Sequence, residues 1–349
     1  MQSIINTIQR YKTLYSGRIS ALPIVILMPH SACNCKCVMC DIWKGNHNLK
    51  QLSEQDIGGL LNTLKRFKTQ VVVMSGGEAL MNKSFFTLCE ILKSENINIS
   101  LLSTGLLLKK NAATLVKWVD DIIVSLDGNE EIHDQVRNIS GAFSIMKEGI
   151  AEIHFLDPQY KITGRTVIHR KNFRHWRDII QSAADLGLSQ ISFLPADVSS
   201  HAFNREQAWE ISRQQEILLE ESELPELEEM IQRLLREFES LFKSHFIAES
   251  PDKLQNIYTY YAAFYGRNPF PFKKCNAPWV STVVEADGTV RPCFFHKPIG
   301  NIHENSLEAI LNGPAGIGFR KNLNIDRNET CLKCVCYLNL PPGKNLKAD

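Results

Sequence analysis

The chain has 349 residues, 44% of them hydrophobic, with 39 Lys and Arg against 38 Asp and Glu. That length suits one large domain plus a smaller one, and a formal charge of +1 supplies no field to attract nucleic acid or an anionic membrane, so neither is an expected partner. No secretory signal pattern opens the chain, and it holds no apolar run of about 18 residues, so no membrane span is expected.

Residues 2–15 read as a short helix over one end of the core. The apolar run 22–28 reads as a buried strand, and a cysteine-rich loop follows it. Ser53 is a cap for a helix over 53–67, whose apolar positions are Ile57, Leu60, Leu61 and Leu64. Further strands are predicted at 71–74, 97–102, 122–126, 162–168 and 191–194. Helical segments at 85–92, 115–119, 143–153 and 176–186 alternate with them. Six strands alternating with helices imply a parallel α/β sheet, and the count fits a partial (β/α)6 TIM-like barrel. Such sheets carry their sites just after the strands. From 199 to 265 the pattern changes, with Leu227, Met230, Ile231, Leu234, Leu235, Phe238, Leu241 and Phe242 on one helical stripe. From Pro271 the chain is short-stranded: 281–285 and 289–291 flank Asp287-Gly288, a hairpin signal. The expected domains are a barrel over 1–198, a helical segment over 199–270 packed on it, and a small C-terminal domain over 271–349.

The ten cysteines cluster. Four lie at 33–40 and three at 331–336, with Cys89, Cys275 and Cys293 elsewhere. Close C-x2-C spacings favour metal over disulfides and point to a reducing, cytoplasmic compartment. Cys33, Cys37 and Cys40 keep a C-x3-C-x2-C spacing. Three thiolates from one tight loop can hold three corners of a cubane iron–sulfur cluster and leave the fourth iron open. Cys35 or His30 can also complete a four-ligand zinc site, so spacing alone leaves zinc open. The next strand ends in Gly76-Gly77-Glu78. Two glycines let the backbone approach a ligand closely, and a carboxylate can receive an ammonium group.

The cysteine loop and this strand end together resemble the radical S-adenosylmethionine (SAM) family over roughly residues 22–195. The resemblance implies that Cys33, Cys37 and Cys40 hold a [4Fe–4S] cluster whose open iron is chelated by SAM. It also implies that Gly76, Gly77 and Glu78 receive the methionyl amine, and that Cys35 is a non-ligand. Thr104 falls where the family often has Thr-Asn-Gly, although Leu102-Ser103-Thr104-Gly105 lacks the Asn. Val124-Ser125-Leu126-Asp127-Gly128, with His133-Asp134 and Arg137 after it, resembles the fourth-strand segment of peptide- and sugar-modifying members. Ser125, Arg137, Arg165 and Leu194 are carried over as SAM contacts. The serine suits a ribose or carboxylate, Arg165 a bidentate carboxylate pair, and Leu194 with Pro195 the adenine.

Cys275-x12-Gly288-x4-Cys293 and Cys331-x2-Cys334 resemble the auxiliary-cluster extensions called SPASM and twitch. Five cysteines rather than seven favour one auxiliary [4Fe–4S] cluster, held by Cys275, Cys293, Cys331 and Cys334, with Cys336 as a substitute or a free thiol. A zinc ribbon is the alternative.

The leading functional expectation is dehydrogenation of a small molecule after hydrogen abstraction by a 5′-deoxyadenosyl radical, with the auxiliary cluster as electron acceptor. With 32 residues before the first cysteine, no leader-binding domain is expected at the N-terminus, which weighs against a peptide substrate. The alternatives are a peptide maturase forming a thioether or C–C crosslink, an epimerase using Cys336 or Cys35 as hydrogen donor, and a zinc-binding structural protein. A flavodoxin or ferredoxin is the expected electron donor. Asp127, Asp197 and Glu216 are equal candidates for a general base. Trp209, Tyr258, Tyr260, Tyr261 and Phe264 are candidate pocket or core aromatics.

Overall fold

Short runs of β-branched residues with buried alternate positions build the sheet. The computed structural model describes residues 2–205, 207–344 and 346. After helix α1 (Gln2–Ser16), strand β1 (Ile24–Leu27) leads into the cysteine loop. Helix α2 (Glu54–Arg66) begins at a capping box: the Ser53 hydroxyl accepts from Asp56 N–H, and the Asp56 carboxylate accepts from Ser53 N–H. Then come β2 (Val71–Met74), α3 (Phe85–Lys93), β3 (Asn98–Ser103), α4 (Leu108–Trp118), β4 (Asp121–Ser125), α5 (Glu130–Arg137), α6 (Ala142–Leu156), β5 (Ile162–Ile168), α7 (Trp176–Asp185) and β6 (Gln190–Pro195). Strands β1 to β6 are all parallel and pair in sequence order. This is the partial barrel that the strand–helix alternation implies.

Helix α5 has no counterpart in the sequence reading. Its signal is present: Asn129 accepts from Ile132 N–H, and Glu130 and Glu131 fill the first turn. Only Ile132 and Val136 are apolar in it, so it shows little periodicity.

The segment after β6 forms α8 (Ile211–Gln215), α9 (Leu224–Glu237), α10 (Glu239–Lys243) and α11 (Pro251–Ala263). The single stripe expected across 227–242 is two helices, interrupted at Phe238, which leaves helical geometry at φ −109. Phe238 is buried there, so packing overrides helix continuation. Helix α11 is tied to the barrel through its aromatics. The Tyr260 hydroxyl donates to Ala196 O at 3.0 Å. The Tyr261 hydroxyl donates to Ile168 O at 2.5 Å and accepts from Ala196 N–H at 3.0 Å. Both tyrosines are 1% exposed.

The C-terminal part contains α12 (Ala277–Val280), β7 (Ser281–Val284), β8 (Thr289–Arg291), β9 (Gly300–Asn301), α13 (Leu307–Asn312), α14 (Pro314–Asn322) and α15 (Glu329–Leu332). The hairpin signalled by Asp287-Gly288 joins β7 and β8 in antiparallel register. Strand β7 also pairs in parallel with β1, Ile24 opposite Ser281 through Leu27 opposite Val284. One nine-stranded sheet therefore runs from the barrel into the C-terminal hairpin. No helix among the described residues is long and apolar enough to cross a membrane.

Removing the Tyr261 hydroxyl strands a buried carbonyl and a buried N–H at the barrel rim. Tyr261→Phe is expected to lower the unfolding free energy by about 1–3 kcal/mol, read by urea denaturation. An unchanged midpoint would show that α11 does not depend on this bond.

Candidate functional site

The cysteine loop hangs from β1 and is held from three sides. On the β2 side, Glu78 N–H donates to Ala32 O at 2.9 Å. A Cβ on Gly77 would stand 2.1 Å from that same oxygen, so only glycine permits the approach. Gly76 sits at φ +105, which favours glycine on conformational grounds. On the β4 side, the C-terminal carbonyls of α5 accept from the loop: Lys36 N–H reaches Arg137 O at 3.1 Å, and Val38 N–H reaches Val136 O at 3.0 Å. On the β6 side, Arg213 Nη2 donates to Val38 O at 2.5 Å, and Trp209 Nε1 donates to Asp41 Oδ2 at 2.6 Å.

Glu78 is fully buried, and its carboxylate faces the protein. It accepts from Leu80 N–H at 3.1 Å, Ser103 Oγ at 3.0 Å, Thr104 N–H at 2.8 Å and Thr104 Oγ1 at 2.7 Å. Burial pushes its pKa up, against these hydrogen bonds. The sequence reading gave Glu78 an ammonium ligand and Thr104 a cofactor contact. In the structure the two side chains satisfy each other, which leaves the backbone of this strand end to meet a ligand.

The three loop thiols differ. Burial pushes Cys33 and Cys40 up to about 12. Cys37 is held down at about 6 by a hydrogen bond from Cys35 and by the charge of Arg137, against its burial. Arg137 Nη1 donates to Cys37 Sγ at 3.3 Å, and Nη2 pairs with Asp127. The sequence reading carried Arg137 over as a SAM contact; its guanidinium instead faces the cysteine loop and a buried carboxylate. Cys35 is 1% exposed. His30, the other spare donor, accepts Ala32 N–H on Nδ1 at 2.9 Å.

Ser125 and Arg165 are register partners on β4 and β5. Arg165 Nε donates to Ser192 Oγ at 3.2 Å. Arg165 and Leu194 line a cavity of about 180 Å³ together with Glu249, Lys253, Tyr260, Cys334 and Cys336. The cavity thus joins the β5 and β6 strand ends to the C-terminal cysteines. The three general-base candidates are all ion-paired: Asp127 with Arg137, Asp197 with Arg205, and Glu216 with Arg213. Trp209 is buried under the Arg205 guanidinium, 3.8 Å from its ring centre.

The C-terminal cysteines converge. Asn276, beside Cys275, donates its N–H to Leu338 O at 2.7 Å and its side-chain amide to Leu340 O at 2.8 Å. Lys273 Nζ donates to Leu332 O at 2.6 Å. These bonds strap the segment carrying Cys331 and Cys334 onto Cys275. Burial pushes Cys293 up to about 12, with charges on Cys331 and Cys275 adding to it. Cys334 feels both Cys336 and Cys293. His296 is a neighbour that the sequence reading missed, with Nε2 3.4 Å from Cys331 Sγ. Its only sequence signal is its place three residues after Cys293. Cys336 is exposed.

The donor chemistry of both sets, free cysteine thiols, is that of an iron–sulfur cluster's ligands. No group of His, Cys, Asp and Glu among the described residues gathers tightly enough for a single metal ion. A cubane spreads its ligand sulfurs over separate corners and needs no such gathering. The buried Arg137 Nη1 also donates toward Cys37 Sγ, as it would to a thiolate ligand.

The comparisons agree with this geometry. The radical SAM superfamily matches residues 27–192. The SPASM iron–sulfur cluster-binding domain matches residues 275–335. The chain is a radical SAM enzyme with a SPASM-type domain. Its cofactors are SAM, a SAM-binding [4Fe–4S] cluster and an auxiliary [4Fe–4S] cluster, and it acts on its substrate through 5′-deoxyadenosyl radical chemistry. It is 25% identical over 339 residues to the sporulation killing factor maturation protein SkfB of Bacillus subtilis, across 94% of this chain and 74% of that protein. It is 27% identical over 198 residues to Fe-coproporphyrin III synthase of Methanosarcina barkeri, across 55% of this chain and 49% of that one. Among solved structures, SuiB of Streptococcus suis bound to the precursor peptide SuiA has the same fold: the TM-score is 0.63 at 14% identity, over 93% of this chain and 72% of that one.

Gly77→Ala forces the Ala32 carbonyl away and breaks its bond to Glu78 N–H. Overpacking of this kind costs about 1–3 kcal/mol. The expected result in metal-free protein is a lower melting temperature and faster reaction of Cys35 and Cys37 with a thiol reagent. Wild-type thiol reactivity in this variant would contradict the close approach.

Proposed function

We propose that this enzyme matures a peptide, cross-linking or otherwise modifying a residue presented to it from outside. Cys33, Cys37 and Cys40 are the proposed ligands of the SAM-binding cluster, and Cys275, Cys293, Cys331 and Cys334 those of the auxiliary cluster. The backbone of Gly76 and Gly77 receives the methionyl amine, with Glu78 and Thr104 bracing it. Ser125 and Arg165 take the hydroxyl and carboxylate groups of SAM, and Leu194 lies against the adenine. A flavodoxin or ferredoxin supplies the electron.

The observation that carries the peptide reading is the extent of the likeness to SkfB. It runs through 94% of the chain and so reaches well beyond the barrel. The likeness to the porphyrin-forming synthase spans 55%. The small-molecule dehydrogenation expected from the sequence has no comparable support. The rim of the cavity beside the C-terminal cysteines includes Phe272, 76% exposed, and Tyr337, 37% exposed, and exposed aromatics of this kind suit the flanking residues of a longer ligand. Lys253 and Glu249 also line it and suit charged side chains or termini of a peptide.

The test uses anaerobically reconstituted enzyme, SAM, a reductant and synthetic peptides of the short reading frames beside the gene. The expected result is peptide-dependent formation of 5′-deoxyadenosine and a peptide mass lower by two hydrogens, as a thioether or C–C crosslink requires. Unmodified peptides, together with oxidation of a small alcohol or amine, would overturn the reading. A peptide of unchanged mass that takes up solvent deuterium would replace crosslinking by epimerisation.

A further inference from the structure

Cys37 is treated differently from its neighbours. Helix α5 ends against the cysteine loop, and its last carbonyls bind the N–H groups on either side of Cys37. That docking aims the Cys37 sulfur at the Arg137 guanidinium, 3.3 Å away. The Arg137 side chain is 9% exposed, and the Asp127 carboxylate behind it is fully buried. Asp127 is itself fixed, accepting Val167 N–H at 3.3 Å on Oδ1. Cys35, in the same loop, is also buried. Cys40, by contrast, meets a neutral backbone donor, Ile42 N–H, at 3.5 Å.

We propose that Arg137, backed by Asp127, is a positioning residue that polarises the Cys37 sulfur and holds up the reduction potential of the SAM-binding cluster. This rests on the assignment of Cys33, Cys37 and Cys40 as ligands and is independent of the peptide substrate. Hydrogen bonds to a cluster's sulfurs withdraw electron density and favour the reduced, more negative state. Burial strengthens the effect, because little water screens it. Asp127 cancels the net charge of the guanidinium, so what remains is a dipole with its positive end on the sulfur. The arrangement eases one-electron loading from a protein donor.

The test is a redox titration followed by electron paramagnetic resonance, read on the signal component that the Cys33→Ala/Cys37→Ala/Cys40→Ala variant lacks. Removing Arg137 alone would strand the Asp127 charge, so the variant is Asp127→Asn/Arg137→Gln, which keeps a neutral pair. It is expected to be about tenfold less reduced at a fixed potential, a shift of about 59 mV to more negative values for a one-electron couple, with unchanged iron content. An unshifted midpoint in the double variant would overturn the proposal. A wild-type protein with no iron dependent on these three cysteines would overturn the ligand assignment too. Peptide modification, scored separately, tells the two failures apart.

Discussion

Strand β1 has no free edge, and the site depends on that. Its four residues pair with β2 on one side and β7 on the other, in register with both. The bonding continues past the strand end, where Met28 N–H donates to Val284 O at 2.9 Å and Ser75 N–H donates to Leu27 O at 2.8 Å. The cysteine loop therefore leaves the sheet from a strand clamped on both sides. Its flanks are the Gly76-Gly77-Glu78 strand end and the strand that opens the C-terminal hairpin. A single parallel register thus sets the barrel's cysteines and the second cysteine cluster relative to each other. Preorganisation of this sort lets a site hold its geometry without a mobile scaffold.

The loop's remaining constraints are electrostatic, and they come from buried pairs. Arg137 with Asp127 braces it from β4 and α5. Arg205 with Asp197, 2.8 Å apart and almost fully buried, braces it from beyond β6 through Trp209 and Asp41. The same post-β6 segment reaches the other cluster region, because Phe203 packs edge-on against Phe294, next to Cys293, at 5.0 Å. Breaking one member of a buried pair costs more than the pair contributes, so these contacts act to specify one arrangement of the cysteines. They also leave neither Asp127 nor Asp197 free as a general base. In a radical enzyme the hard chemistry belongs to the cofactor, and the chain's task is to position and exclude water.

The barrel was legible because its strands are unbroken apolar runs such as Val71-Val72-Val73-Met74, as buried parallel strands require. The cysteine spacings and the glycine pair were legible because they are local. Helix α5 was not, since a short polar helix shows its cap but almost no stripe. The pairing of β1 with β7 was not legible either, because residues 24 and 281 carry no sign in sequence that they meet. The inward turn of Glu78 belongs to the same class: its partners Ser103 and Thr104 lie on the next strand, and a triplet shows nothing of where its carboxylate points. Arg205 lies in a segment without periodicity, so only the structure reveals its pair with Asp197. The substrate expectation found less support than its alternative for a different reason. It weighed what lies before the first cysteine, whereas the support for a peptide comes from likeness along the whole chain.

The account's central claim is that two separate sets of cysteines each hold a cubane cluster. Iron and acid-labile sulfide, measured after anaerobic reconstitution, test it most directly. Wild type should carry about eight irons, and replacing either Cys33, Cys37 and Cys40 or Cys275, Cys293, Cys331 and Cys334 by alanine should leave about four. About four irons in wild type, falling to none in the first variant and unchanged in the second, would contradict it.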